Sequence, residues 1–500
     1  MFNLGAAAAA VGVSVSPEHA KIEIAGITLD SRRVQKGDLF FALPGVADDG
    51  AQYAAEAAAK GAVAILTEKR EPLTALPQLI VGDARMAAAV VAKSFYRQPD
   101  KALRIGAVTG TNGKTTTAWL VRRLLNASGV RCGLLGTIEY DLGDRVIPAP
   151  LTTPDAPELF SHLRAMADAG CRAAFMEFSS HSLVQKRTAG LAPAVAVFTN
   201  LTQDHLDYHR TMDEYRAAKG LLFESLPAEA TAVLNANDPA SDFYAARTEA
   251  RVLRFALAAA ADLQAEIVRH DLAGTSFLLR TPWGERKIHW SPIGRHNVEN
   301  ALGALAAAMV MGADFDAACA ALESFTGVPG RLECVGPDWG GKKADLPSPT
   351  FRVMVDYAHT DDALRSVLRA LREARPNRLL CVFGCGGDRD RSKRPKMGRA
   401  AEEEADLVVL TSDNPRTENP AVIIDEVLKG VRHPQRFCVE PDREAAIKLA
   451  VNEAREGDIV LLAGKGHENY QIMGKEKRPF DDRLCAREAL IARLRIQPNL

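Results

Sequence analysis

Arg104-Ile-Gly-Ala-Val-Thr109, followed by Gly110-Thr-Asn-Gly-Lys-Thr-Thr116, is the stretch from which the fold can be read. It predicts a buried strand, a glycine turn, and a helix opened by a lysine and two hydroxyls. Backbone N–H groups of such a turn point at a bound anion, and the helix N-terminus behind them favours negative charge. Lys114 can therefore neutralise the β- and γ-phosphates of a nucleoside triphosphate, and the Thr115 hydroxyl can ligate Mg²⁺. Leu120/Leu124 and Val121/Leu125 continue at helical spacing, and Gly129 supplies the stop. The glycine usual six residues before the lysine is Val108 here. The loop is a variant, and alone it does not say which family of nucleotide-using enzymes the chain belongs to.

Outward from this loop, 500 residues exceed one hydrophobic core, and roughly three domains are expected. The 62 basic residues nearly balance the 63 acidic ones, so net charge implies no polyanion-binding surface and nucleic acid is not expected as a partner. The eight cysteines contain no Cys-x-x-Cys pair and suit reduced thiols in a cytoplasm. Leu4 to Val15 is apolar enough to imitate a signal-peptide core, but no Lys or Arg precedes it, and its alanines suit an ordinary helix. No run approaches the roughly 20 apolar residues of a membrane span. The expected protein is soluble and cytoplasmic.

Three regions separate. Residues 1–99 contain the strand-like runs Gly37 to Ala42 and Ala62 to Leu66, with an alanine-rich helix between them and a linker at Arg97-Gln-Pro-Asp100. Residues 100–330 add the runs Ala173 to Phe178, Ala194 to Thr199 and Thr231 to Asn235, separated by helical patterns. That alternation predicts a largely parallel sheet with helices on both faces. Past Val328-Pro-Gly-Arg331 and an exposed loop over Gly336 to Pro349, residues 331–500 alternate again. Their strands are expected at Arg352 to Asp356, Arg378 to Gly384, Leu407 to Thr411 and Ile459 to Ala463.

Each of those four strands ends in a polar cluster: Asp356-Tyr-Ala-His359, Gly386-Gly-Asp-Arg-Asp390, Asp413-Asn-Pro-Arg416 and Gly464-Lys-Gly-His-Glu468. In a parallel sheet all four emerge at the carboxyl-end rim, where such folds bind ligands. One cluster is ordinary turn chemistry; four on one rim, carrying two arginines, a lysine and a glutamate, read as a site. In the central region Glu177-Phe-Ser-Ser-His181 ends a strand and brings a carboxylate towards a Mg²⁺ held by Thr115, consistent with the one or two carboxylates that ion prefers. Asn200 to His209 is dense in possible ligands. His205 and His209 have the i, i+4 spacing of a zinc pair but lack the flanking glutamate of that motif, and an oxygen-rich magnesium site is preferred. Lys219, in Tyr215-Arg-Ala-Ala-Lys219, reads as one residue of a solvated helix.

The order of these elements, with Gly294-Arg-His-Asn-Val-Glu-Asn300 and Pro329-Gly-Arg331, resembles the Mur ligases, the ATP-dependent amino-acid-adding enzymes of peptidoglycan precursor synthesis. The resemblance covers nearly the whole chain. Leu29-Asp-Ser-Arg-Arg33 and Asp413-Asn-Pro-Arg416 are similar to the branch that adds meso-2,6-diaminopimelate to UDP-N-acetylmuramoyl-L-alanyl-D-glutamate. The fold it implies is α/β in three parts: a small uridine-binding domain over 1–99, a central ATPase-type domain with a mainly parallel sheet over 100–330, and a Rossmann-like domain over 331–500. ATP contacts are implied at Gly110, Thr111, Asn112, Gly113, Lys114, Thr115, Thr116, Asn297, Asn300, Arg331 and Asp356. Metal ligands are implied at Thr115, Glu177, His205 and a carbamylated Lys219, with Lys114, Glu177, His205 and Lys219 as the catalytic set. The sugar-nucleotide dipeptide is implied at Leu29, Ser31, Thr152, Thr153, Ser179, Gln185 and Arg187, and diaminopimelate at Arg389, Asp413, Asn414, Pro415, Arg416, Gly464 and Glu468. The chain departs from its relatives at Leu151 and in the loop Gly45-Val-Ala-Asp48.

The implied reaction is amide formation through an acyl phosphate on the D-glutamate γ-carboxylate, with ATP and Mg²⁺, by a monomer whose C-terminal domain closes before chemistry. The competing readings are a lysine-adding homologue, a folylpolyglutamate-type ligase and an ATP-driven switch that joins nothing.

Overall fold

The computed structural model describes residues 1–45, 48–257, 260–271, 274–341 and 344–496; Val46 and Ala47, within the divergent loop, lie outside them. These residues form two compact units, Met1–Leu263 with Ala301–Ala318, and Gln264–Asn300 with Cys319–Leu500.

The first unit holds two sheets. Gly26–Thr28, Asp38–Ala42, Ala64–Thr67 and Gln78–Ile80 form a four-stranded parallel sheet in chain order. The N-terminal apolar run is a helix, Leu4–Ala10, opened by Asn3, whose side chain accepts the Ala6 N–H at 2.8 Å. It buries Leu4 and Ala7 against Leu39, Phe41 and Leu66. The second sheet runs Val146–Pro148, Glu139–Asp141, Cys132–Leu135, Ala173–Glu177, Arg104–Thr109, Val195–Phe198, Thr231–Asn235, Arg251–Leu257. The first two of these strands are antiparallel and the rest parallel. Val108 is fully buried and pairs with Glu177 on one side and Val197 on the other. The position where other phosphate loops carry glycine is therefore the penultimate residue of a central strand, which suits a β-branched side chain.

From Gln264 on, the second unit opens with an antiparallel meander, Leu263–Asp271, Gly274–Thr281 and Gly284–Trp290, that the sequence reading does not name. The larger sheet runs Glu333–Val335, Arg352–Asp356, Ile459–Ala463, Leu379–Phe383, Leu407–Leu410, Phe437–Val439, and only its first strand is antiparallel. Alternate residues feed two cores, which is why the strands read as unbroken apolar runs. Met354, Cys381 and Leu461 face the helices Asp361–Glu373, Lys393–Glu404 and Pro420–Leu428. Val355, Val382 and Leu462 face Arg443–Glu453 and Asp482–Ile496. The strands that end in the four polar clusters are immediate neighbours, so the clusters share one rim. Among the described residues no helix is long and apolar enough to cross a membrane.

Candidate active site

The phosphate loop leaves its strand through Gly110, whose φ of 151° no side chain adopts easily, and a Cβ there would lie 1.9 Å from Thr199 Oγ1. The next strand braces the loop: Asn200 O accepts the Thr111 N–H at 2.8 Å, Asn200 Oδ1 the Asn112 N–H at 2.9 Å, and Thr199 Oγ1 donates to Asn112 O at 2.6 Å. Lys114 opens the helix Lys114–Ala127, and its Nζ lies over the loop, donating to the carbonyls of Gly110 and Thr111, each at 2.9 Å. The helix ends at Ser128 with Gly129 left-handed behind it, where the sequence put the stop.

Glu177 sits at the end of the adjacent strand and is fully buried. Its Oε2 accepts from Thr115 Oγ1 at 3.1 Å and Thr137 Oγ1 at 3.0 Å, and its Oε1 from the Thr137 N–H at 2.9 Å. Gly136 makes room, since a Cβ there would lie 2.5 Å from Glu177 Oε1. One carboxylate and two hydroxyls beside a phosphate-binding turn form an oxygen-only donor set, which fits Mg²⁺ sharing its shell with phosphate oxygens.

Lys219 departs from its expected place on a solvated helix. The helix Met212–Glu224 turns Tyr215, Lys219 and Leu222 inward together, and Lys219 is 1 % exposed. Its Nζ donates to Gly110 O at 2.8 Å and lies 4.3 Å from the centre of the Tyr215 ring. Burial first, then the Lys114 ammonium, push this amine well below the ordinary lysine range. The Tyr215 ring in turn lies 6.0 Å from that of His205 and 5.2 Å from that of His209, and His181 is centred 4.9 Å from His205 and 5.5 Å from His209. His209 Nε2 pairs with Ser180 Oγ at 2.9 Å, so that nitrogen faces a hydroxyl. Among the described residues no three His, Cys, Asp or Glu side chains converge as a metal cluster.

Beside Glu177, Thr153 Oγ1 donates to Glu177 O at 2.7 Å and accepts the Ser179 N–H at 3.2 Å, and Thr152 Oγ1 lies 3.1 Å from Thr137 Oγ1. Arg187 donates to Thr153 O at 2.9 Å, grips Gln185 Oε1 through two nitrogens and pairs with Asp155 at 3.0 Å. Leu29, Arg85, Asp155, Gln185 and Arg187 line one pocket, which brings the first sheet's Leu29 together with this group. Ser31 is buried and donates to Glu56 Oε2 at 2.8 Å.

In the second unit, Asp356 ends its strand with Oδ2 accepting the Leu332 N–H and Oδ1 the Ala358 N–H, both at 2.8 Å. Burial raises its carboxyl, and the Arg331 guanidinium opposes that rise. Arg331 stands 4.9 Å over the Tyr357 ring. Asn297 and Asn300 are buried one turn apart on the helix Arg295–Val310, their side chains 3.5 Å from each other. On the shared rim, Asn414 Nδ2 donates to Glu468 Oε2 at 3.0 Å and Arg416 Nη1 to Gly387 O at 2.7 Å. Arg416 is left-handed at φ 51° and passes beside Met473. A Cβ on Gly464 would lie 2.7 Å from Asp413 Oδ2, so these residues close on one another. Arg389 is exposed, its guanidinium 3.4 Å from the Asp388 carbonyl.

Residues 23–104, 108–308 and 330–466 match, in turn, the Mur ligase family catalytic domain, the Mur ligase middle domain and the Mur ligase glutamate ligase domain. The UDP-N-acetylmuramoyl-L-alanyl-D-glutamate--2,6-diaminopimelate ligase of Geobacillus kaustophilus is 44 % identical over 94 % of this chain and 95 % of its own. The chain belongs to the Mur ligase family. A solved structure of a ligase of the same name superposes with a TM-score of 0.70 at 35 % identity, covering 97 % of this chain and 98 % of that one. The MurF ligase of Thermotoga maritima, solved in complex with ADP, shares the fold at a TM-score of 0.62 and 18 % identity, over 94 % and 98 % of the two chains.

Within this Mur ligase three site features escaped the sequence. Thr137 supplies two of the bonds on Glu177, yet Gly136-Thr137 is an ordinary dipeptide after a short strand. Asn200, which its sequence context marks only as a possible ligand, is the brace of the phosphate loop. Lys465 reads in the sequence as one more rim charge, yet it is fully buried. Two buried arginines stabilise the rim from behind. Arg394 binds Glu418, Glu426 and Gly386 O; Arg443 binds Asp482 with bonds of 2.7 and 2.6 Å and reaches Ala463 O at 3.0 Å.

Proposed function

We propose that this Mur ligase joins meso-2,6-diaminopimelate to the D-glutamate γ-carboxylate of UDP-N-acetylmuramoyl-L-alanyl-D-glutamate in peptidoglycan precursor synthesis, using ATP. The observation that carries the choice of amino acid is the cluster of Asp413, Asn414, Arg416 and Glu468 on one rim. Diaminopimelate differs from lysine by a carboxylate at its far end, and a guanidinium offers that carboxylate a fork that lysine leaves unpaired. Near-full-length likeness to ligases of that name supports the same reading.

The γ-carboxylate attacks the γ-phosphorus of ATP and ADP leaves; the diaminopimelate amine, having lost a proton, attacks the acyl carbon and phosphate leaves. Lys114 and the turn N–H groups stabilise the charge that moves onto the leaving phosphates. Thr115 and Glu177 would hold Mg²⁺, which when bound offsets phosphate charge. Thr137 keeps Glu177 aimed, because both carboxylate oxygens take a bond from it. Arg187, Gln185, Thr152, Thr153 and Ser179 orient the dipeptide, and Leu29 and Ser31 the uridine. Asn297, Asn300, Arg331 and Asp356 complete the nucleotide contacts. A neutral Lys219 amine can add CO₂, releasing a proton and becoming a carboxylate-like ligand that His205 would share.

We assign the functional division to 1–99, 100–330 and 331–500, and a cytoplasmic monomer as the working form. ADP release that requires both the sugar-nucleotide dipeptide and an amino acid is the expected result. Hydrolysis indifferent to both would instead support a switch.

A further inference from the structure

Lys465 leaves the strand Ile459–Ala463 on the ligand rim with a side chain that is wholly buried, an uncommon place for an ammonium. Its Nζ lies 3.1 Å from Asn414 Oδ1 and 3.4 Å from Glu468 Oε2, with the Tyr470 ring centred 5.7 Å away. Asn414 Oδ1 also accepts the Ile472 N–H at 2.9 Å. Two donors on Oδ1 leave the amide one orientation, with Nδ2 turned to Glu468 Oε2 at 3.0 Å. Both Asn414 and Lys465 therefore engage the same oxygen of Glu468, and neither bond draws on Oε1.

We propose that Lys465 is a positioning residue of the amino-acid pocket: it locks the Asn414 amide and the Glu468 carboxylate in the orientation that receives the far, zwitterionic end of diaminopimelate. This rests on the reaction proposed above. Glu468 is suited to the distal ammonium and Arg416 to the distal carboxylate, so rotation of Glu468 away from that pair weakens recognition of this substrate and of no other. A lysine serving only to hold the hairpin Tyr470–Met473 and Glu476–Pro479 has no such selectivity.

The test is steady-state kinetics of the full chain with ATP, UDP-N-acetylmuramoyl-L-alanyl-D-glutamate and meso-diaminopimelate. It compares wild type, Lys465→Met, Glu468→Gln and the double variant. Lys465→Met is expected to raise the diaminopimelate KM by about 30-fold, while the KM values for ATP and the sugar nucleotide stay within about twofold. In the double variant the diaminopimelate KM is expected within about threefold of either single variant, because coupled groups are not additive. An unchanged diaminopimelate KM in folded Lys465→Met, or fully multiplicative effects in the double variant, overturns the proposal. If Lys465→Met does not fold, Lys465→Gln, polar and uncharged, is read in the same assay with the same two outcomes. Wild type that forms no ADP with diaminopimelate overturns the assigned reaction itself; an active wild type with an unaltered Lys465→Met overturns only the role of Lys465.

Discussion

Lys219 and Lys114 converge on one backbone atom: both ammonium nitrogens donate to the Gly110 carbonyl, at 2.8 and 2.9 Å. Two cations on one carbonyl, one of them buried, favour loss of a proton from the buried one, which is the direction of the Lys219 shift. The neutral amine, which this shift favours, is the form that reacts with CO₂. Enzyme stripped of CO₂ and bicarbonate is expected to lose activity and recover it on adding bicarbonate. Labelling with ¹³C-bicarbonate should give a carbamate resonance that Lys219→Ala lacks. That variant should lose about 100-fold in kcat, roughly 3 kcal/mol of barrier. Activity indifferent to bicarbonate, with no carbamate signal, would remove the modification from the account.

Thr137 presents a cleaner perturbation of the Glu177 cradle. Thr137→Val keeps the shape and the backbone N–H bond but deletes the 3.0 Å hydroxyl bond. The Mg²⁺ concentration for half-maximal activity should rise about tenfold, the scale of losing an outer partner of a ligand, with the ATP-independent melting curve little changed. A magnesium titration overlying that of wild type would mean the hydroxyl does not aim the carboxylate.

These two cases show where the sequence was readable and where it was not. Lys114, Thr115 and Glu177 lie in local patterns, a turn and two strand ends, whose geometry follows from a few adjacent residues. The four rim clusters were legible because parallel strands deliver their ends to one edge. Lys219 was misread because its helix carries Asp213, Glu214 and Arg216 on one face, and the buried face is fixed only by what packs on it. Thr137 and Lys465 act through partners 40 and 51 positions away, which spacing cannot encode. The meander from Leu263 to Trp290 is harder to read: Leu263, Ala265 and Ile267 alternate with Gln264 and Glu266, but Val268 breaks the period and Arg269-His-Asp271 is polar.

The Arg443–Asp482 pair, both partners fully buried, ties the helix Asp482–Ile496 to the rim strands. Arg443→Met leaves an unpaired buried carboxylate and is expected to destabilise the protein by about 3–5 kcal/mol. Adding Asp482→Leu should restore much of that loss, since an apolar pair of similar size is tolerated. Denaturant unfolding of the three proteins decides it. A double variant less stable than Arg443→Met would argue that the pair is worth more than its replacement.

Acid sensitivity should pass through His296, which burial, with His270 nearby, holds down at about 4. Above pH 6.5 both folded and unfolded states carry it neutral, and it contributes no pH dependence. Between 6.5 and about 4 the unfolded chain binds a proton that the folded chain does not, so stability falls as pH falls. Unfolding free energies measured across that range should show a shallower decline in His296→Gln than in wild type. Equal slopes would place the acid sensitivity elsewhere.

Arg416 sits left-handed on the rim, its guanidinium anchored to the Gly387 carbonyl. The measurement that bears most directly on the whole account is the initial rate of ADP formation with UDP-N-acetylmuramoyl-L-alanyl-D-glutamate, with meso-diaminopimelate set against L-lysine. Diaminopimelate is expected to win by at least about 1000-fold in kcat/KM, the scale on which a polar pocket rejects an analogue missing its partner group. Arg416→Ala should lose most of the diaminopimelate activity. Equal rates with the two amino acids, or an Arg416→Ala enzyme that turns over diaminopimelate as wild type does, would contradict it.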